Sequence, residues 1–68
     1  MKIEELITGK NKSEKVDVGG VTLPVSALDN FMREGYVHIK PYQEEKTFSL
    51  WGKACTVCFT EKDILDRA

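Results

Sequence analysis

KVDVGGVTLPV, residues 15 to 25, sets two alternating apolar runs on either side of a glycine pair. Gly19 and Gly20 offer the positive φ angles that a two-residue type I′ or II′ turn requires, so the runs read as the arms of a β-hairpin. Pairing across that turn sets Val18 opposite Val21 and Val16 opposite Leu23 on one face. Lys15, Asp17, Thr22 and Pro24 then fall on the other. Side chains on a strand alternate with a period of two, so turn chemistry and apolar pattern select the same register.

Downstream of the hairpin, Ser26 followed by Asp29 has the spacing of a capping box, and Leu28, Phe31 and Met32 form an i, i+3, i+4 stripe that stops before Gly35. A short helix over 26–34 is expected. YVHIK, residues 36 to 40, alternates again, which predicts Val37 and Ile39 inward and Tyr36, His38 and Lys40 outward. PYQEE reads as a loop opened by Pro41, and TFSLW as the next strand. A two-residue turn at Gly52 and Lys53 would pair Leu50 with Cys55 and Phe48 with Val57 and extend the apolar face through Phe59. Thr47, Ser49, Trp51, Thr56 and Cys58 take the opposite face. Thr60 followed by Asp63 signals a second cap, which opens a short C-terminal helix carrying Ile64 and Leu65.

Upstream, Ile3, Leu6 and Ile7 recur at helical spacing, with a strand as the alternative over so few residues. GKNKSEK, residues 9 to 15, is polar, starts on glycine and is the most basic stretch of the chain. It reads as a linker. The expected fold class is α+β, with small antiparallel β-hairpins, one short central helix and a short C-terminal helix. Three segments follow: 1–14 as helix and basic linker, 15–52 as hairpin and helix domain, and 53–68 as a strand or CxxC tail with its helix.

A chain of 68 residues makes one small domain, and such a domain buries roughly 60% of the surface its unfolded form exposes. With 41% hydrophobic and 31% charged residues the composition is that of a globular protein, not of a disordered or collagenous one. Ten Lys and Arg against eleven Asp and Glu give a net charge of −1, so no global field draws the chain to nucleic acid or an anionic membrane. Any basic patch must be local. The N-terminal MKIEELITG lacks the apolar stretch of a signal peptide, and no apolar run approaches the ~20 residues that span a bilayer. The expected location is cytoplasmic, with no membrane partner.

Cys55 and Cys58 stand in the spacing C-x-x-C, which elsewhere marks a zinc knuckle or a redox pair. On a regular strand, residues three apart point to opposite faces, so the two thiols cannot share a metal or a disulfide there without a local turn. A redox site would want its first cysteine at a helix N-terminus, whereas Thr56 and Val57 are β-branched strand formers. A structural zinc takes four ligands, and two cysteines with one histidine do not supply them within a chain. A site shared between two chains, or one joining His38 to a distant carboxylate, is the alternative to structural thiols. No serine or cysteine stands in a recognisable triad context, so neither an enzyme nor a cofactor is expected.

Taken together, Val16-Asp17, the turn glycine Gly19, the strand Val21 to Pro24, the helix with Phe31, Glu34-Gly35 with Val37 and Ile39, and the apolar strand with Phe48 and Leu50 resemble the AbrB/MazE/SpoVT family of swapped-hairpin DNA-binding domains. The resemblance covers residues 15 to 50. It implies a homodimer in which hairpins of two chains interleave, which would cover apolar faces that one small chain exposes. It also implies that the chain is a transcription regulator binding double-stranded DNA. Where family members carry arginines, after the turn glycine and at the start of the helix, this chain has Gly20, Leu28 and Asp29. Some relatives follow the domain with a segment like Ala54 to Cys58 and a downstream acidic residue such as Asp63.

Two functions from different classes follow. In the first, Lys10, Lys12, Lys15 and Arg33 touch phosphates of duplex DNA, with Asn11 or Ser13 near base edges. In the second, the chain is an interaction module, such as an inhibitor, antitoxin or decoy subunit. Its protein-binding face would carry Tyr36, His38, Tyr42 and Trp51, because Tyr and Trp make good interface anchors.

Overall fold

A computed structural model describes residues 1–42, 47–51 and 57–68, with the Trp51 side chain excepted. Among the described residues the elements follow in the order α1 (Ile3–Ile7), β1 (Lys15–Val18), β2 (Val21–Pro24), α2 (Val25–Arg33), β3 (His38–Tyr42), β4 (Thr47–Trp51), β5 (Val57–Thr60) and α3 (Glu61–Leu65). The class is α+β. β1 and β2 form one antiparallel sheet, and β3, β4 and β5 form another in that order.

The glycine-pair hairpin has the expected register, Val18 against Val21 and Val16 against Leu23. Gly19 and Gly20 turn at φ 60° and 91°, and Val16, Val18 and Leu23 are buried while Lys15, Asp17 and Thr22 are exposed. Gly19 is also a packing site: a Cβ there would collide with the Pro41 ring, so the turn of the first sheet touches a strand of the second. Gly19→Ala should therefore cost about 1–3 kcal/mol through left-handed strain and overpacking together. Gly20→Ala, with nothing within 4 Å of its Cβ, meets the backbone cost alone. Urea midpoints of the two variants check this, and equal midpoints would remove the role given to Pro41.

α2 starts at Val25, one residue before the expected Ser26, and its N-cap is Pro24 with no side-chain cap bond. The capping box read at Ser26 and Asp29 is therefore not formed. The C-terminus of α2 is a Schellman motif. Gly35 at φ 100° takes the left-handed position, its N–H donates to the Met32 carbonyl at 3.0 Å, and the Tyr36 N–H donates to the Phe31 carbonyl at 3.0 Å. That motif carries an apolar contact between its ends, here Tyr36 against Phe31 with ring centroids 6.1 Å apart and planes at 78°.

The motif corrects the expected alternation. Tyr36 belongs to the helix end and is only 9% exposed, while Val37 is 47% exposed. The strand begins only at His38, from which point Ile39 is inward and Lys40 outward as expected. Pro41 does not open a loop but lies within β3, opposite Phe48. Ile39 points its N–H away from β4, to the Met1 carbonyl at 2.8 Å, and position 41 faces the same way two residues on. Proline thus lacks its N–H where β4 requires none.

β4 spans the expected TFSLW, but its pairing with β5 is shifted by two: Phe48 faces Phe59, Leu50 faces Val57 and Ser49 faces Cys58. The expected partner Cys55 and the turn at Gly52 and Lys53 lie outside the described residues. α3 opens with the expected box, the Asp63 N–H donating to Thr60 Oγ1 at 3.2 Å and the Thr60 N–H to Asp63 Oδ2 at 3.3 Å. Ile64 is buried, whereas Leu65 is 47% exposed.

α1 is helical and packs against α2, and α3 packs against β5 and β2. One core runs from Ile3 to Ile64, with Phe31, Phe48, Leu23, Leu28, Ile39 and Leu50 fully buried among its members. The radius of gyration is 10.7 Å, against about 11 Å for a closed chain of this length. Among the described residues these apolar side chains pack against one another within the chain.

Candidate nucleic-acid interface

The basic segment is ordered by its own polar groups. Gly9 at φ 75° follows α1, and the Lys10 N–H donates to the Ile7 carbonyl at 3.1 Å. Asn11 to Glu14 then close a turn: the Glu14 N–H donates to the Asn11 carbonyl at 3.0 Å, and the Asn11 N–H to Glu14 Oε2 at 2.8 Å. The Val25 N–H donates to the Glu14 carbonyl at 2.9 Å, which fastens the turn to the start of α2. The stretch read as a linker is thus a fixed turn between α1 and β1, and Asn11 and Ser13 are exposed on it.

Fixing the turn decides where its lysines go. Lys12 Nζ lies 3.6 Å from Asp29 Oδ2, and Arg33 Nε lies 3.2 Å from the same oxygen across one turn of α2. Two of the four expected phosphate-binding residues, from the basic turn and from the far end of α2, therefore meet at one carboxylate. Lys10 and Lys15 are exposed and pair with no carboxylate among the described residues. Asp29 was not among the expected site residues. Its i, i+4 relation to Arg33 was readable on the helix, whereas its contact with Lys12 depends on the tertiary fold.

Leu28 is fully buried in the core, and Gly20 is exposed in the hairpin turn. Lys12 and Arg33 share Asp29, while Glu14 on the turn and Asp17 on the outward face of β1 stand among the exposed lysines of a chain whose net charge is −1.

The aromatic face divides. Tyr36, expected on it, is in the core against Phe31 and Phe59. His38 is half-buried and Tyr42 is 52% exposed on β3. Trp51 lies opposite His38 in the ladder, with its side chain outside the described residues. Cys58 is an exposed free thiol, its sulfur 3.6 Å from the Ser49 hydroxyl on the neighbouring strand. Cys55 lies outside the described residues. Among the described residues no three His, Cys, Asp or Glu side chains converge on a metal position. Nor, among them, is any helix long and apolar enough to cross a membrane.

Near α3, Arg67 stacks over Phe59 at 4.4 Å and Phe31 at 4.9 Å and pairs with Glu34 at 3.4 Å. Its backbone carbonyl accepts from Asn30 Nδ2. The arginine is thereby committed to closing the core over β5. No protein-family model matches the chain, and neither a curated protein nor a solved structure does.

Proposed function

We propose that the chain is a small dimeric DNA-binding regulator of the AbrB-like kind, which holds duplex phosphates with Lys10, Lys12, Lys15 and Arg33. The observation that supports this reading is the meeting of Lys12 and Arg33 at Asp29 on α2. Their side chains are 66% and 67% exposed, so both can reach a phosphate while their stems rest on the protein. Lysine and arginine at such sites release counterions from DNA and bind without regard to sequence, and Asn11 and Ser13 on the same fixed turn would supply base contacts.

Dimerisation doubles the edge. It rests on the resemblance of the hairpin and on the half-exposed Met1, Val37, Tyr42 and Leu65, since the core closes within one chain. Sedimentation equilibrium at micromolar concentration should find a dimer, and anisotropy of a labelled mixed-sequence duplex should rise with added protein at low salt. A folded monomer would remove the dimer, and a flat anisotropy curve would remove the DNA reading.

The exposure of Tyr42, on the same strand as His38, favours a second reading, an interaction module such as an inhibitor, antitoxin or decoy subunit. On that reading Tyr42→Ala or Trp51→Ala removes a protein partner, and the chain gives no duplex signal.

A further inference from the structure

We infer that Asp29 is an internal competitor for the phosphate site and sets how tightly the basic edge holds duplex DNA, an inference that rests on the DNA-binding reading above. One oxygen, Oδ2, faces both Arg33 Nε at 3.2 Å and Lys12 Nζ at 3.6 Å. A carboxylate oxygen between a guanidinium and an ammonium presents the charge and acceptor that a phosphate oxygen would present to the same pair. The Asp29 side chain is 26% exposed, against 66% and 67% for its cations. The carboxylate therefore lies inside the pair, and the outer sides of both cations meet water.

Asp29 neither caps α2 nor is the group that fastens the basic turn. The N-terminus of α2 carries no side-chain cap, so the carboxylate is not a capping group. The basic turn is already fastened by the Val25 to Glu14 and Asn11 to Glu14 bonds. Among the described residues, Lys12 and Arg33 are its polar partners. A DNA phosphate reaching this edge must share the two cations with Asp29 or draw them outward. Exposed ion pairs are weak, so a polyanion can draw the cations away, but each chain enters binding with one positive charge already answered. Asp29 thus lowers affinity without abolishing it, and keeps the edge from holding every polyanion it meets.

The test titrates a labelled mixed-sequence duplex with the wild type, Asp29→Asn, and Asp29→Asn combined with Lys12→Gln and Arg33→Gln. Asp29→Asn should bind about tenfold more tightly at low salt, with a slope against log[salt] steeper by about one per chain. The triple variant should lose that gain. Thermal unfolding of wild type and Asp29→Asn, followed in parallel, should coincide. Equal or weaker duplex binding by Asp29→Asn, or an early melt, would make Asp29 a residue that holds Lys12 and Arg33 in place and would overturn the inference. A gain that persists in the triple variant overturns it as well, because the charge would then act at large rather than through these cations. Wild-type binding with no gain in the variant sinks the inference alone, whereas absence of duplex binding by both proteins sinks the DNA reading and the inference with it.

Discussion

Raising the salt from about 50 to 200 mM should weaken duplex binding by this chain roughly a thousandfold. The figure follows from counting charges. Lys10, Lys12 and Lys15 from each of two chains would neutralise about six phosphates, and a slope near −0.9 per phosphate gives about −5 against log[salt]. Arg33 steepens the slope if it leaves Asp29 for a phosphate, and the Asp29 pairing lowers it if Lys12 stays where it is. The slope therefore reports how many of the cations at this edge face DNA. Replacing all three lysines with alanine should abolish binding and leave the fold intact, since all three are exposed and their turn is held by backbone bonds and by Glu14. A shallow slope, or a triple variant that binds as the wild type does, would place the contact elsewhere on the molecule.

The parts of the fold legible in the sequence are those where two local signals agreed. In the glycine-pair hairpin the turn type and the apolar alternation each demanded the register found, Val16 against Leu23. At Thr60 a single capping signal sufficed, because its reciprocal bonds with Asp63 are local. Where one pattern was read without its competitor, the reading slipped. Alternation from Tyr36 predicts an outward tyrosine, yet Gly35 ends α2 in a Schellman motif whose apolar contact draws Tyr36 onto Phe31. Phenylalanine and tyrosine at the two ends of that motif were the signal for it. The β4 and β5 pairing was misplaced by two residues, an even number, so the faces survived while the partners changed. Phe59 still points to the core and Cys58 away from it. Of the site, the basic turn and Arg33 were legible as charges. Their convergence on Asp29 was not, because nothing local relates residue 12 to residue 29.

Phe31→Ala should bring the domain to the edge of unfolding. Phe31 is fully buried, and three structures from different parts of the chain close on its ring. Tyr36 meets it edge-on from the Schellman turn, Phe59 meets it from β5 with centroids 5.2 Å apart, and the Arg67 guanidinium covers it at 4.9 Å. Truncating such a phenylalanine costs about 3–5 kcal/mol through lost transfer and an unfilled cavity. Alanine also strips Tyr36 and Phe59 of a ring partner and Arg67 of half its stacking surface. Against this, stability of roughly 0.05–0.15 kcal/mol per residue gives a chain of 68 residues about 3–10 kcal/mol in total. The loss thus takes a third of the stability at best and all of it at worst, whereas Tyr42→Ala, at a 52% exposed position, should stay within about 0.5 kcal/mol of the wild type. Urea unfolding followed by circular dichroism separates the two. A Phe31→Ala midpoint close to that of Tyr42→Ala would mean that the contact joining α2, β5 and Arg67 does not hold the fold together. The basic edge would feel the same loss, because Arg33 and Asp29 ride on the helix that Phe31 anchors, and duplex binding should fall in step with the folded fraction.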